Sequence, residues 1–284
     1  MSNELNRRDF MRISAIPMAM LAAGKLPLLE AGTRKKRKMA IPAGQGVDGH
    51  LGPYATKPIL AYRDKFAMAN GHVKENYTLN YKVLRWSSPK KPGASKITPF
   101  GDIKISRTAK GNKAQFDISQ SISSYGRVFN KLDAQIVCSA STPISWNLHS
   151  HVTGKLADKQ TSLRETGTVR NGAIVIDNGT YKTQLKATNP VTTQWTILDE
   201  LMRSQANKIN KKIDFLQDLE VWKPGHDLLY DGEVKLTLSG TTVTLASVVQ
   251  RGYGINPIHY LIDNQGHVQL MTNGIVSWAL ESIE

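Results

Sequence analysis

From Glu75 onward, apolar side chains fall on alternate residues. Tyr77, Leu79, Tyr81 and Val83 take one side of a ribbon, and Thr78, Asn80 and Lys82 take the other. A period of two predicts a strand with one buried face. The alternation returns over 102–107, 114–123, 135–140, 144–152 and 167–169. Asn171-Gly172 and Asn178-Gly179 flank the apolar run 173–176, and Asn-Gly tolerates the positive φ of a tight hairpin. Segments 234–238, 243–245, 259–263, 267–271 and 275–280 repeat the pattern between further Gly-containing turns. So many short strands with such tight joints predict antiparallel pairing.

One segment breaks the period. Pro190 opens it, and Trp195, Leu198, Leu201 and Met202 recur at helical spacing, which predicts a helix over about 191–207. Asp199 and Glu200 fall off the apolar stripe and read as a solvated face. Residues 215–220 are too short to assign. The expected fold is mainly β: an antiparallel curved sheet, or a partial or closed β-barrel, with one packed α-helix. It forms a single domain over 75–284. Residues 32–74 read as a basic lead-in punctuated by Gly and Pro.

The N-terminus has a different texture. Asn6-Arg7-Arg8-Asp9-Phe10-Met11-Arg12 precedes a modestly apolar stretch over 13–23, the layout of an export signal. Arg7, Arg8 and Phe10 resemble the bacterial twin-arginine signal, with Asn6, Met11 and Arg12 standing where that pattern has Ser/Thr, Leu and Lys. The resemblance implies a signal over 1–31, with cleavage between Ala22 and Ala31. It also implies the twin-arginine translocation machinery as a partner, folding before export, and a periplasmic or secreted destination.

The chain of 284 residues is 40% hydrophobic and 21% charged, with a formal net charge of +14. Residues 1–38 hold nine Lys/Arg and three Asp/Glu, hence +6, which leaves +8 on the rest. Arg34 to Lys38 are five consecutive cations, a solvated block suited to an anionic envelope surface. The remaining charge is mixed in sign and gives no specific nucleic-acid site. Cys138 is the single cysteine, which excludes an intrachain disulfide and a cysteine-based zinc site.

The C-terminal third carries a distinctive skeleton. Trp195-x-x-Leu198 is followed by Phe215-Leu216-x-Asp218-Leu219-Glu220 and Leu229-Tyr230-x-Gly232. Then come Gly252-x-Gly254-Ile255-x-Pro257-x-His259-Tyr260 and Leu261-Ile262-Asp263-x-x-Gly266. Over residues 75–284 this is similar to a family of exported bacterial β-rich proteins of uncharacterised function, several with twin-arginine signals. That resemblance implies no catalytic residues. A sheet wrapped round a helix is also similar, at the level of fold alone, to periplasmic lipid and lipoprotein carriers.

Candidate chemistry is sparse. His149-Ser150-His151 places two imidazoles on one face of a strand. They could hold Zn²⁺ or Cu²⁺ with a third ligand such as Asp158 or His72. His259, Asp263 and His267 share one expected hairpin, without a nucleophile in a recognisable elbow. Cys138 lies among apolar neighbours and reads as an inert buried thiol. Trp86, Trp146, Trp195, Trp222 and Trp278 read as packing rather than a sugar platform. Asp199, Glu200, Asp218 and Glu220 match a carboxylate pair by residue type alone. No cofactor is expected unless the histidine pair holds a metal. The first expectation is a non-enzymatic binder of an apolar or amphiphilic envelope molecule. The alternatives are a metal-dependent enzyme or factor using His149 and His151, and a structural or polyanion-binding envelope protein.

Overall fold

The structure, a computed structural model, describes residues 73–87, 96–124, 128–154, 161–238, 241–273 and 275–284. The chain divides into two units, Met1–Ile41 and Pro42–Glu284, and every described residue belongs to the second. Arg7, Arg8, Phe10 and the cations of 34–38 lie outside the described residues, as do His72 and Asp158.

The architecture is mainly β, as the alternation predicts. The first half holds β1 (Tyr77–Ser87), β2 (Lys96–Lys110), β3 (Lys113–Ser124), β4 (Val128–Ser139) and β5 (Thr142–Gly154). β6 (Thr161–Arg170), β7 (Ala173–Asp177), β8 (Lys182–Lys186) and β9 (Val191–Thr192) follow. After helix α1 (Thr196–Arg203) come β10 (Asn210–Gln217), β11 (Val221–Leu238) and β12 (Thr241–Arg251). The chain finishes with β13 (Ile258–Ile262), β14 (Val268–Thr272) and β15 (Val276–Ile283).

All fifteen strands form one sheet in the order β8-β7-β6-β5-β4-β3-β2-β1-β15-β14-β13-β12-β11-β10-β9. Every pairing is antiparallel except β9 with β10. The first and last strands meet in the middle, where Tyr81 faces Leu280 and Val83 faces Trp278.

The two edges are consecutive in sequence, and that forces curvature. Laid flat, fourteen strand spacings of about 4.8 Å would hold β8 and β9 roughly 67 Å apart. The chain from Lys186 to Val191 can reach only about 18 Å. The sheet must therefore curl until its edges come together. Asp214 of β10 clasps the join. Its carboxylate accepts hydrogen bonds from the backbone N–H of Thr188 (2.7 Å), Asn189 (2.9 Å) and Gly225 (2.8 Å), and from Asn189 Nδ2 (2.8 Å).

The inward face makes the main core. Val83, Ile105, Phe116, Ile136 and Ile174 are fully buried there, together with Trp195, Ile197, Leu198 and Leu201 from α1 and its approach. Val83 and Leu84 are successive residues of β1 and so point to opposite faces, beside a bulge at Phe100 of β2. Leu84 joins a second core with Leu261, Leu270 and Ala279, closed by Val234, Leu236 and Leu245 of the long β11–β12 hairpin. Asp231 is the extra residue at the bulge where that hairpin bends, beside Gly232 at φ 101°.

The helix is shorter than its sequence pattern. It occupies Thr196–Arg203, followed by a 3₁₀ turn at Ala206–Lys208. Residues 190–192 join the sheet instead, with Asp214 N–H bonded to the Pro190 carbonyl at 2.9 Å. The hydroxyls of Thr193 and Thr196 begin the helix locally: Thr193 Oγ1 accepts from the N–H of Thr196 at 3.1 Å.

Candidate functional site

The strands β2 to β7 carry their polar side chains outward, where they form a trough of about 970 Å³. Antiparallel register builds it. One cross-strand row runs Lys104, Ser119, Asp133, His149, Arg164. The next runs Ser106, Asp117, Gln135, Asn147, Thr166, Asp177. Ile118, Ala134, Leu148 and Glu165 separate the rows and point their own side chains inward, so their backbone supplies the floor.

Hydrogen bonds already orient the trough. Asp117 accepts from Gln135 Nε2 at 2.9 Å and from Gln115 Nε2 at 3.0 Å. Ser119 donates to Asp133 at 2.8 Å, and Lys131 stands 3.3 Å from the same carboxylate. Asp177 accepts from Gly179 N–H at 2.9 Å. The surface thus offers alternating carboxylate, amide and hydroxyl groups with a cation at each end of the first row. This is a hydrogen-bonding surface, and it lacks the outward apolar band that lipid chains would face in a membrane barrel.

His149 lines the trough, and its Nε2 shares a hydrogen bond with Ser162 Oγ at 2.9 Å. His151 lies on the same face, opposite Lys131 and Ser162. Asp133 is the cross-strand partner of His149 and the nearest carboxylate by register. Among the described residues, no group of three His, Cys, Asp or Glu is arranged to hold a metal ion.

The other candidates fall elsewhere. Asp199, expected on a solvated face, is fully buried. Arg203 Nε binds it at 2.8 Å, Arg107 Nε at 3.1 Å, Tyr77 hydroxyl at 2.9 Å and Ser141 hydroxyl at 2.8 Å. A desolvated carboxylate needs such partners, and here they tie α1 to β1, β2 and the β4–β5 turn. Burial, with the Asp199 charge added, pushes the Tyr77 hydroxyl well above its usual range. The same two causes raise the Cys138 thiol, so it stays protonated and unreactive. Glu200 pairs with Lys211 on the surface. Asp218 is raised by burial although Gln217, Lys223 and Gln194 oppose this.

The histidines of the C-terminal third are structural. His267 Nδ1 stands 3.3 Å from Asp263, which also accepts from Gln269 Nε2 at 2.8 Å. His259 faces Asp231 rather than Asp263, at 3.8 Å. Ser247 shares that outward face but is fully buried in the second core, so no substrate can reach its hydroxyl. A chain of hydrogen bonds crosses the inner face. Tyr260 donates to Gln250 at 2.7 Å, Gln250 to His226 Nδ1 at 2.9 Å, and His226 Nε2 to the Tyr253 carbonyl at 3.1 Å. Burial holds His226 below its usual pKa, and Lys223 adds to the effect, against the pull of the Tyr253 carbonyl.

Trp146, Trp195 and Trp278 are core residues, and Trp222 packs against the core edge. The side chain of Trp86 lies outside the described ones. Sequence reasoning missed the trough because its rows come from six strands. Only the register aligns them.

No protein-family model matches the chain, and no curated protein matches it. Among solved structures it is similar to the crystal structure of a beta-barrel-like protein of domain of unknown function DUF1849 from Brucella abortus. The two share 10% sequence identity at a TM-score of 0.48, over 76% of this chain and 99% of that one.

Proposed function

We propose that the protein is a non-enzymatic binding protein of the bacterial cell envelope that holds an amphiphilic molecule by its polar, hydroxyl-rich part. The observation that carries this reading is the trough. Its two rows offer fixed hydrogen-bond acceptors and donors at strand spacing, which suits a ligand with several hydroxyl groups. The interior supports an outer site, because the side chains around α1 fill it: Tyr81, Tyr260, Trp195 and Leu198 leave almost no surface for even a water molecule. Export follows from the Arg7-Arg8-x-Phe10 signal.

Native mass spectrometry of protein isolated from its own envelope tests the reading. A bound small molecule should be retained, and the double variant Gln135→Ala/Asn147→Ala should lose it while folding normally. Equal retention by that variant, or no retained molecule in the wild type, refutes the proposal. A second reading, a divalent cation on His149, draws on the register that sets Asp133 opposite it. Stoichiometric zinc or copper, lost in His149→Ala, would favour that reading instead.

A further inference from the structure

The trough has the dimensions of a repeating ligand. Neighbouring strands stand about 4.8 Å apart, so the row from Ser106 on β2 to Asp177 on β7 spans about 24 Å. The two rows come from residues i and i+2 of each strand: Asp117 and Ser119, Gln135 and Asp133, Asn147 and His149. They therefore lie about 7 Å apart. Between them Ile118, Ala134 and Leu148 turn inward and are buried. The result is a strip of bare backbone flanked on both sides by hydrogen-bonding groups, repeated once per strand.

The chemistry of the lining narrows what fits. His149 carries the only ring among the lining residues, so stacking contributes little and the ligand must be held by hydrogen bonds. Each such bond is of small net worth. A single polar group would bind weakly, whereas a chain that repeats the contact accumulates affinity. Charge excludes a polyanion: Lys104, Lys131 and Arg164 offset Asp117, Asp133 and Asp177. Donors remain available, because the side chains of Lys104, Asn147 and Arg164 make no hydrogen bond or ion pair among the described residues. Acceptors remain too. Ser119 and Gln135 each give a proton to a carboxylate and keep an oxygen for an incoming hydroxyl.

We propose that the polar part of the ligand is a neutral, linear chain of 1,4-β-linked pyranose sugars lying across β2 to β7, about one sugar per strand. Equatorial linkages keep such a chain a flat ribbon, and each ring advances by close to one strand spacing. Hydroxyl groups leave both edges of the ribbon and meet the two rows, while the ring faces lie over the bare strip. The assignment rests on the trough as the binding site and narrows its ligand from any polyhydroxyl group to a polymer of one geometry.

Calorimetric titration of the full chain with 1,4-β-linked oligomers of glucose and of N-acetylglucosamine, one to six sugars long, tests it. Affinity for at least one series should rise roughly fivefold per added sugar and level off at about five, where the strip is filled. Glucose oligomers of the same lengths in the α configuration coil, and should bind tenfold or more weakly than the preferred β-linked series. The variant Arg164→Gln/Thr166→Val, altered at one end of the strip, should unfold at the wild-type temperature. It should lose more affinity for six sugars than for two, because a short chain can sit elsewhere on the strip. Length-independent affinity, equal affinity for the α-linked chains, or an equal loss at every length in the variant overturns the proposal. No binding of either β-linked series overturns it as well, and leaves the trough reading standing if protein isolated from the envelope still retains a molecule. An isolated protein that retains nothing overturns that earlier reading instead, and this one with it.

Discussion

Gly167 shows how tightly side chains meet backbone here. A Cβ on Gly167 would lie 1.9 Å from the Trp146 ring on the neighbouring strand, inside any tolerable contact. Gly167→Ala should therefore lower stability by about 1–3 kcal/mol, read from the urea midpoint at unchanged slope. His226 is the residue whose protonation matters. Its Nε2–H serves the Tyr253 carbonyl and its Nδ1 accepts from Gln250, so the neutral ring fits and a second ring proton has no acceptor. Its folded pKa is depressed, so its contribution is complete above the unfolded value of about 6.5 and fades as pH falls below it. Unfolding midpoints should drop between neutral pH and about pH 5, and His226→Asn should flatten that drop. An equally steep profile in the variant would remove His226 as the cause. Asp199 shows where residue-scale reading of the chain stops. Helical spacing put it off the apolar stripe, which is correct, yet Arg107 and Tyr77 arrive from distant strands to enclose it. Local periodicity holds no information about partners so far away in sequence.

At the scale of elements, strands were legible and their consequences were not. Period-two alternation located β1, β3, β5 and β7, because one face of each is buried, whereas the β13–β14 hairpin, buried on both faces, was marked by the Gly-containing turn between its strands. β10 and the start of β11 were not readable, because Asp214, Phe215 and Leu216 are buried in succession and break the alternation. The helix pattern ran past both ends of α1, because Val191 is satisfied by the sheet and residues 206–208 by a 3₁₀ turn. Asp214 explains the first of these. Burial raises its carboxyl, but bonds from Asn189, Gly225 and Thr188 outweigh this and hold it below the ordinary carboxylate range. A depressed folded pKa gives stability that is full above about pH 4 and fades as acid protonates the folded form. Asp214→Ala should cost about 2–4 kcal/mol at neutral pH, since several charge-assisted hydrogen bonds to a buried carboxylate are lost together. The acid limb of its stability profile should be shallower than that of the wild type. A loss under ~0.5 kcal/mol, the size of an ordinary surface substitution, would mean the clasp is ornamental.

At the scale of the whole molecule, closure is the property on which the other features depend. The β2–β7 register of the trough is set by neighbouring hairpins, but the enclosed interior that α1 fills requires residues 187–190 to bring the edges together. Two mechanisms could keep the sheet curled: intrinsic twist with core packing, or the short link itself. Inserting six Gly/Ser residues between Thr188 and Asn189 separates them. Lengthening a flexible connection costs only about 0.6 kcal/mol per doubling, so a sheet curled by packing alone should lose roughly 1 kcal/mol. If the link is the fastener, the insertion also frees Asp214 from two of its backbone donors, and the loss should reach about 2–4 kcal/mol. Amide exchange should then rise in β8, β9 and α1 before the β3–β4–β5 ribbon, because sub-global opening starts where few contacts cross. The inward packing of Trp195 and Leu198 against both halves of the sheet makes the second outcome the expected one: the helix can fill the interior only after the edges have met.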